Sequence, residues 1–291
     1  MGTSSSYRGP KSGLVPSWLD EPDGDSSDGQ PSDGTNDGDQ DGGDDQNSVP
    51  QASPITPTPT FQAVRSNYTR FANSQDKRAL GRAMKGYVAS AGGSRRAARR
   101  MGSSSQTAAG VAGFANAFAA GGPAEALAKF NLTEYAGKPA IEVLGALADS
   151  LCPDGGTIDE AIARDAMLEA LAVFAEHDLG DFELLSPEQL GDFLIEVITQ
   201  SIVTKVVNDI GYGSLHGSAS DSDYRAAQEV LTDYTKGAVQ DGIGSNFQPD
   251  KALTNREIQV KIEEVYVDAF GLLEVILEDM ATSNNGEFGL K

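Results

Sequence analysis

The sequence predicts an all-α fold on three observations. Apolar residues recur at three- and four-residue spacing from residue 61 onward, three capping boxes open helices, and no alternating strand pattern with hairpin signals competes. The helical domain is expected at residues 105–285. Ahead of it come a disordered acidic tail at 1–60 and a basic, partly helical linker at 61–104.

From Asp20 to Thr60 nearly every residue is Asp, Gly, Ser, Pro, Gln, Asn or Thr. Such a stretch has too little apolar surface to offset the entropy of ordering its backbone. Its end, Pro54 to Thr60, carries prolines that favour an extended spacer. Phe61, Val64, Tyr68 and Phe71 then fall at helical spacing, a second helix is expected over Lys77–Ser90, and a third over Ser94–Met101 after Gly92-Gly93. The third carries Arg95, Arg96, Arg99 and Arg100 as two i, i+4 pairs. The serine run Ser103-Ser104-Ser105 is expected to break the pattern.

Gln106–Ala120 is rich in Ala and Gly, with Val111, Phe114 and Phe118 on one stripe. Pro123 and Pro139 suit first helical positions, for Ala124–Phe130 and for Ala140–Leu151. The latter is expected to bury Ile141, Leu144, Leu147, Ala148 and Leu151. Capping boxes at Thr157–Glu160 and Ser186–Gln189 open helices to about His177 and about Asp209, the second with Leu190, Phe193, Leu194, Val197, Ile198 and Ile202 inward. A helix capped by Asp221 or Ser222 is expected to end near Gln240, before a turn-rich Asp241–Pro249. The third box, Thr254–Glu257, opens a final helix to about Met280 that buries Ile258, Ile262, Val265, Tyr266, Ala269, Leu272, Leu273 and Ile276.

The chain has 43 acidic and 22 basic residues, a net charge of -21. That average conceals a basic island, since residues 62–100 hold ten cations and one carboxylate. Two readings of the island stay open: its cations neutralise phosphates while Tyr68, Phe71 and Tyr87 stack on bases, or it docks on an acidic surface of the body or of a partner. Repulsion from the acidic remainder favours the second. Arg95, Arg96, Arg99 and Arg100 are the candidate contacts for polyanion or partner. One cysteine, Cys152, excludes an internal disulfide framework. The polar start lacks the apolar segment of a secretory signal, and no stretch approaches the ~20 apolar residues that span a bilayer. A cytoplasmic protein without membrane contact is expected.

Little suits catalysis. There is no G-x-x-x-x-G-K-[ST] loop, no G-x-S-x-G elbow and no H-E-x-x-H. Cys152, at a helix end before Pro153, fits a small apolar cap better than a reactive thiol with His177 or His216 as base. Glu176-His177-Asp178 fits a cation at the negative end of a helix dipole, and His216 a solvated loop side chain. Asp37-Gly38-Asp39-Gln40-Asp41-Gly42 matches the first half of a calcium loop, but its twelfth position is Ser48 and a solvated spacer is expected. No catalytic residue, metal ligand or cofactor is assigned.

The first residues are the least ordinary feature. Gly2 is small enough for aminopeptidase to remove Met1, which exposes an unhindered α-amine of pKa near ~8, a usable nucleophile. Thr3, Ser4, Ser5 and Ser6 add hydroxyls without bulk, and Tyr7, Arg8, Gly9, Pro10 and Lys11 add specific handles. This order looks like a recognition peptide on a leash.

Met1-Gly2-Thr3-Ser4-Ser5-Ser6-Tyr7, Gly9-Pro10-Lys11, the Pro/Asp-rich spacer, Gly93-Ser94-Arg95-Arg96 and Pro153-Asp154-Gly155-Gly156-Thr157, in that order, resemble the QatB family. Its members are the B proteins of Qat anti-phage systems, usually encoded with an ATPase, a QueC-like enzyme (QatC) and a TatD-like nuclease. Arg8, in place of a small residue, and the final helices depart from the family pattern. The resemblance implies a non-catalytic component whose QueC-like partner activates a 7-carboxy-7-deazaguanine carboxylate with ATP and couples it to the Gly2 amine. Thr3, Ser4, Ser5, Ser6, Tyr7, Gly9, Pro10 and Lys11 are then the docking peptide. The alternative is an assembly subunit without terminal modification, with nucleic-acid contact through residues 62–100 left open.

Overall fold

The computed structural model describes residues 61–152, 156–177, 179–211, 220–247 and 253–282, the last seven by their backbone alone. Among them lie nine α-helices: α1 (Phe61–Ser74), α2 (Lys77–Ala91), α3 (Ser94–Arg99), α4 (Gly102–Lys129), α5 (Ala140–Leu151), α6 (Ile158–Ala175), α7 (Pro187–Ile210), α8 (Asp221–Asn246) and α9 (Asn255–Thr282). No strand occurs among the described residues. An isolated bridge pairs Pro139 with Asp181 and ties the entry of α5 to a 3-10 turn at Phe182–Leu184.

Each expected capping box forms. The Thr157 hydroxyl accepts from Glu160 N–H and the Glu160 carboxylate from Thr157 N–H, and Ser186–Gln189 and Thr254–Glu257 repeat the exchange. Such reciprocal bonds satisfy amides that the first helical turn leaves without partners. Helix α7 is apolar around most of its circumference and buries residues from Leu190 to Ile210 on several sides, as a central helix must. Helices α6, α8 and α4 pack around it, while α2, α3, α4 and α8 pack around α9. A hydrogen bond of 2.7 Å between the buried Ser201 and Tyr266 hydroxyls joins α7 to α9.

Four expectations need correction. Ser103–Ser105 lie inside α4 and do not break the helix; Ser104, Ser105 and Thr107 are buried, and the Ser105 and Thr107 hydroxyls meet Gln259 of α9 and Cys152 at the end of α5. Helix α8 is capped by Ser220 and runs to Asn246, so Asp241–Asn246 continues the helix instead of turning. In α5 the buried face includes Val143, with Ile141 and Leu151 half-buried. In α9 Phe270 is fully buried and Leu272 half-buried. Helix α4 does end its long stretch where Pro123 predicts, with a break at Gly122 (φ 80°, ψ -175°).

The largest departure concerns residues 61–104. Val64, Tyr68, Phe71, Leu80, Met84 and Val88 are all fully buried, and α2 packs along α9. The segment is part of the core and not a linker. Its apolar stripe faces inward and its cations outward, so burial of apolar side chains, and not attraction to the acidic body, joins it to the rest. Tyr68 and Phe71, proposed above for stacking on bases, are closed to solvent.

Candidate functional site

Helix α2 is capped at its start by Asp76, whose carboxylate accepts from Arg78 N–H at 3.0 Å, and at its end by Gly92, whose φ of 89° lies in the left-handed region. Gly92 N–H donates to Ala89 C=O and Gly93 N–H to Val88 C=O, closing the helix end. The short α3 then lies on α9 through the buried Ala97 and Ala98, which leaves all four predicted arginines exposed.

The four do not act as one patch. Arg95 and Arg99, one turn apart, line a cleft of about 740 Å3 between α3, the start of α4 and α9. Arg96 folds over Gly92, where an added Cβ would meet its Cδ at 2.7 Å. Arg100 lies on the side of Tyr87, whose hydroxyl donates to Asp209 Oδ2 at 2.8 Å. Burial above all, then the Asp209 charge and hydrogen bond, hold the Tyr87 phenol far above its ordinary value, while Arg100 pulls the other way. Lys205 continues this chain of contacts, pairing with Asp209 and Asp159 at 3.3 Å each, so that α2, α7 and α6 are linked.

Opposite the two cleft arginines, α9 presents Val260, Glu263, Glu264, Val267 and Asp268, the i, i+3, i+4, i+7, i+8 face of a helix. Val260 is 48% exposed. A hydrogen bond of 3.2 Å from Gln259 Nε2 to Ser105 Oγ crosses the cleft between α9 and α4. Among the described residues neither Arg95 nor Arg99 forms an ion pair. Glu263 accepts from the Gln259 amide and Asp268 from the Asn246 amide, both neutral donors.

A second hollow, of about 150 Å3, lies among Ser103, Gln106, Thr107, Leu151, Cys152, Glu160 and Ala163. Cys152 is buried, closes the C-terminus of α5 and shares a hydrogen bond of 3.2 Å with the Thr107 hydroxyl. Burial pushes its thiol up, against smaller opposing effects of Thr107 and Arg164. Arg164 also donates to the Cys152 carbonyl and to Asp149 Oδ1. A neutral, hydrogen-bonded thiol is a cap and a weak nucleophile. His177 sits just past the end of α6, exposed, its N–H donating to Phe174 C=O.

Sequence reasoning missed the carboxylate wall, because Glu263, Glu264 and Asp268 look like an ordinary solvated helix face. It also missed the polar start of α4, whose Ser103, Ser105, Gln106 and Thr107 line the two hollows. The signal for the latter was available: five consecutive hydroxyl or amide residues immediately before an apolar helical stripe. Gly2 and the peptide Thr3 to Lys11 lie outside the described residues, as do the whole tail at 1–60, the Asp37–Gly42 match, Pro153–Gly155 and His216. Among the described residues no group of three or more His, Cys, Asp or Glu is placed to hold a metal, and no helix is long and apolar enough to cross a membrane.

No curated protein and no solved structure matches the chain. The family model for the Qat anti-phage system associated protein QatB matches residues 92–273. That stretch opens at the Gly92 turn, takes in both walls of the cleft, and spans more than half of the sequence. The chain therefore belongs to the QatB family of the Qat anti-phage system.

Proposed function

We propose that the chain acts in anti-phage defence as a non-catalytic protein substrate and binding partner, and that its chemistry is confined to the amino terminus. A QueC-like enzyme conjugates a 7-deazaguanine group to the Gly2 amine after removal of Met1, with Thr3 to Ser6, Tyr7, Gly9, Pro10 and Lys11 as the peptide it grips. The observation that carries this reading is the family membership, joined to an opening peptide whose small, unhindered Gly2 suits acylation. In the coupling the amine attacks an ATP-activated carboxylate, an amide bond forms, and the activating group leaves with the proton passing to solvent or enzyme. The helical body serves as a docking platform in the cytoplasm for the other Qat components, the ATPase and the TatD-like nuclease among them.

The test is genetic. A Gly2 deletion, or a terminus blocked by retained Met1, abolishes phage protection while the protein accumulates normally. Full protection from such a variant would instead establish the second reading, a plain assembly subunit, which the outward-facing arginines of α3 favour.

A further inference from the structure

We propose that the cleft between α3, α4 and α9 is a polypeptide-binding site, and that it takes a partner segment carrying both an acidic and a basic side chain. Arg95 and Arg99 form one charged wall, Glu263, Glu264 and Asp268 the other. Charges of opposite sign facing each other across a cleft usually pair, yet neither arginine forms an ion pair among the described residues, and two of the carboxylates accept from neutral amides. The walls are thus both open to an occupant. The exposed Val260 and the half-buried Val267 add apolar surface between the charges, as a binding surface for a chain segment requires. The volume, about 740 Å3, holds a short segment.

At Arg95 and Arg99 the arrangement favours the second of the two readings that the basic island left open. A nucleic acid drawn to Arg95 and Arg99 would meet three carboxylates across the same cleft, and the repulsion would offset the attraction. A polypeptide with a carboxylate for the arginines and a lysine or arginine for the α9 wall satisfies both sides at once. Charge complementarity of this kind fixes register and rejects wrong partners. The proposal rests on the docking part of the function above and not on the chemistry at Gly2.

The full-length chain, purified alone so that Gly2 carries no conjugate, is titrated against each protein encoded with it and separately against a fluorescent single-stranded oligonucleotide. Arg99→Glu and Glu264→Lys are each expected to weaken binding to the same protein by about tenfold or more, whereas Glu169→Lys, exposed on α6 and outside the cleft, leaves it unchanged. Both positions are exposed, and an unchanged helical circular dichroism spectrum confirms that each variant is folded; Arg99→Gln and Glu264→Gln, which keep size without charge, give the same ranking. Absence of binding to every co-encoded protein, or binding that the swaps leave intact, overturns the proposal. So does an oligonucleotide complex that Arg99→Glu weakens and Glu264→Lys strengthens, which makes nucleic acid the occupant. Recovery of full affinity in the Arg99→Glu, Glu264→Arg double variant also overturns it, because the walls would then answer only to each other.

Discussion

The Gly92-Gly93 turn aims α3 at α9, and replacing either glycine by alanine tests what the turn depends on. Gly92 has φ 89° and ψ 32°, left-handed helical, and an added Cβ would lie 2.7 Å from Arg96 Cδ. Gly93 has φ 94° and ψ 168°, and an added Cβ there would meet nothing within 4 Å. Crowding alone therefore ranks Gly92→Ala as the worse change. Backbone conformation ranks them the other way. Alanine in the left-handed region costs ~1–2 kcal/mol, and the smaller entropy of the unfolded alanine chain returns ~0.4–1 kcal/mol. The Arg96 side chain can swing aside at little cost, so Gly92→Ala should lose about 1 kcal/mol. The region that Gly93 occupies is nearly confined to glycine and costs up to ~3 kcal/mol, so Gly93→Ala should lose about 2 kcal/mol. For a body of this size each 1 kcal/mol lowers Tm by ~2–4 °C, which places the two variants roughly 2–4 °C and 4–8 °C below wild type. Thermal unfolding followed by circular dichroism reads the difference. A Gly93→Ala protein as stable as wild type beside a strongly destabilised Gly92→Ala would refute the reasoning and make side-chain crowding the governing effect.

Three further outcomes are expected. Phe114, fully buried, meets Phe130 edge-on with ring centroids 5.3 Å apart and Phe182 at 5.7 Å, so Phe114→Ala should cost ~3–5 kcal/mol in urea unfolding; a loss below about 1 kcal/mol would show that the site collapses around the gap. Burial raises Tyr87 and Tyr266 above their ordinary value of 10.0, so the unfolded chain ionises first; the stability of keeping them neutral is whole below pH 10 and is lost as pH rises beyond it. Unfolding free energy should fall above that pH by up to ~1.4 kcal/mol per pH unit for each tyrosine, and Tyr266→Phe should lessen the slope; an unchanged slope would remove Tyr266 as a source. The Cys152 thiol should react with a disulfide reagent at least about tenfold more slowly in the folded chain than in urea, and Cys152→Ala should keep full phage protection. Rapid labelling of the folded protein would reinstate it as a reactive group.

Much of the helical body was legible because local chemistry agrees with the tertiary structure. The boxes at Thr157, Ser186 and Thr254 mark helix starts through bonds between near neighbours, and Pro139 marks another, although it stands just ahead of α5 as its N-cap and not at the first helical position expected. Where tertiary packing decides, the pattern misled. Ser103–Ser105 have weak helical preference on their own, yet Ser104 and Ser105 are held in α4 by burial against neighbours that no local window contains. In residues 61–104 the density of cations drew attention from the stripe of Val64, Tyr68 and Phe71, which places the segment in the core. The i, i+4 spacing of the arginines was correct, but which pair faces the cleft depends on how α3 lies on α9, a relation between residues far apart in sequence. The same holds for the α9 carboxylates: they become a wall only when α3 is set opposite.

The claim that the amino terminus is the reacting part is tested most directly by intact mass spectrometry of the full chain, expressed together with its neighbouring genes in cells that resist phage. The account predicts loss of Met1 and a single added 7-deazaguanine acyl group, with fragment ions placing it on Gly2, and neither the addition nor protection when the QueC-like enzyme is omitted. An unmodified Gly2 in cells that are nonetheless protected would contradict it.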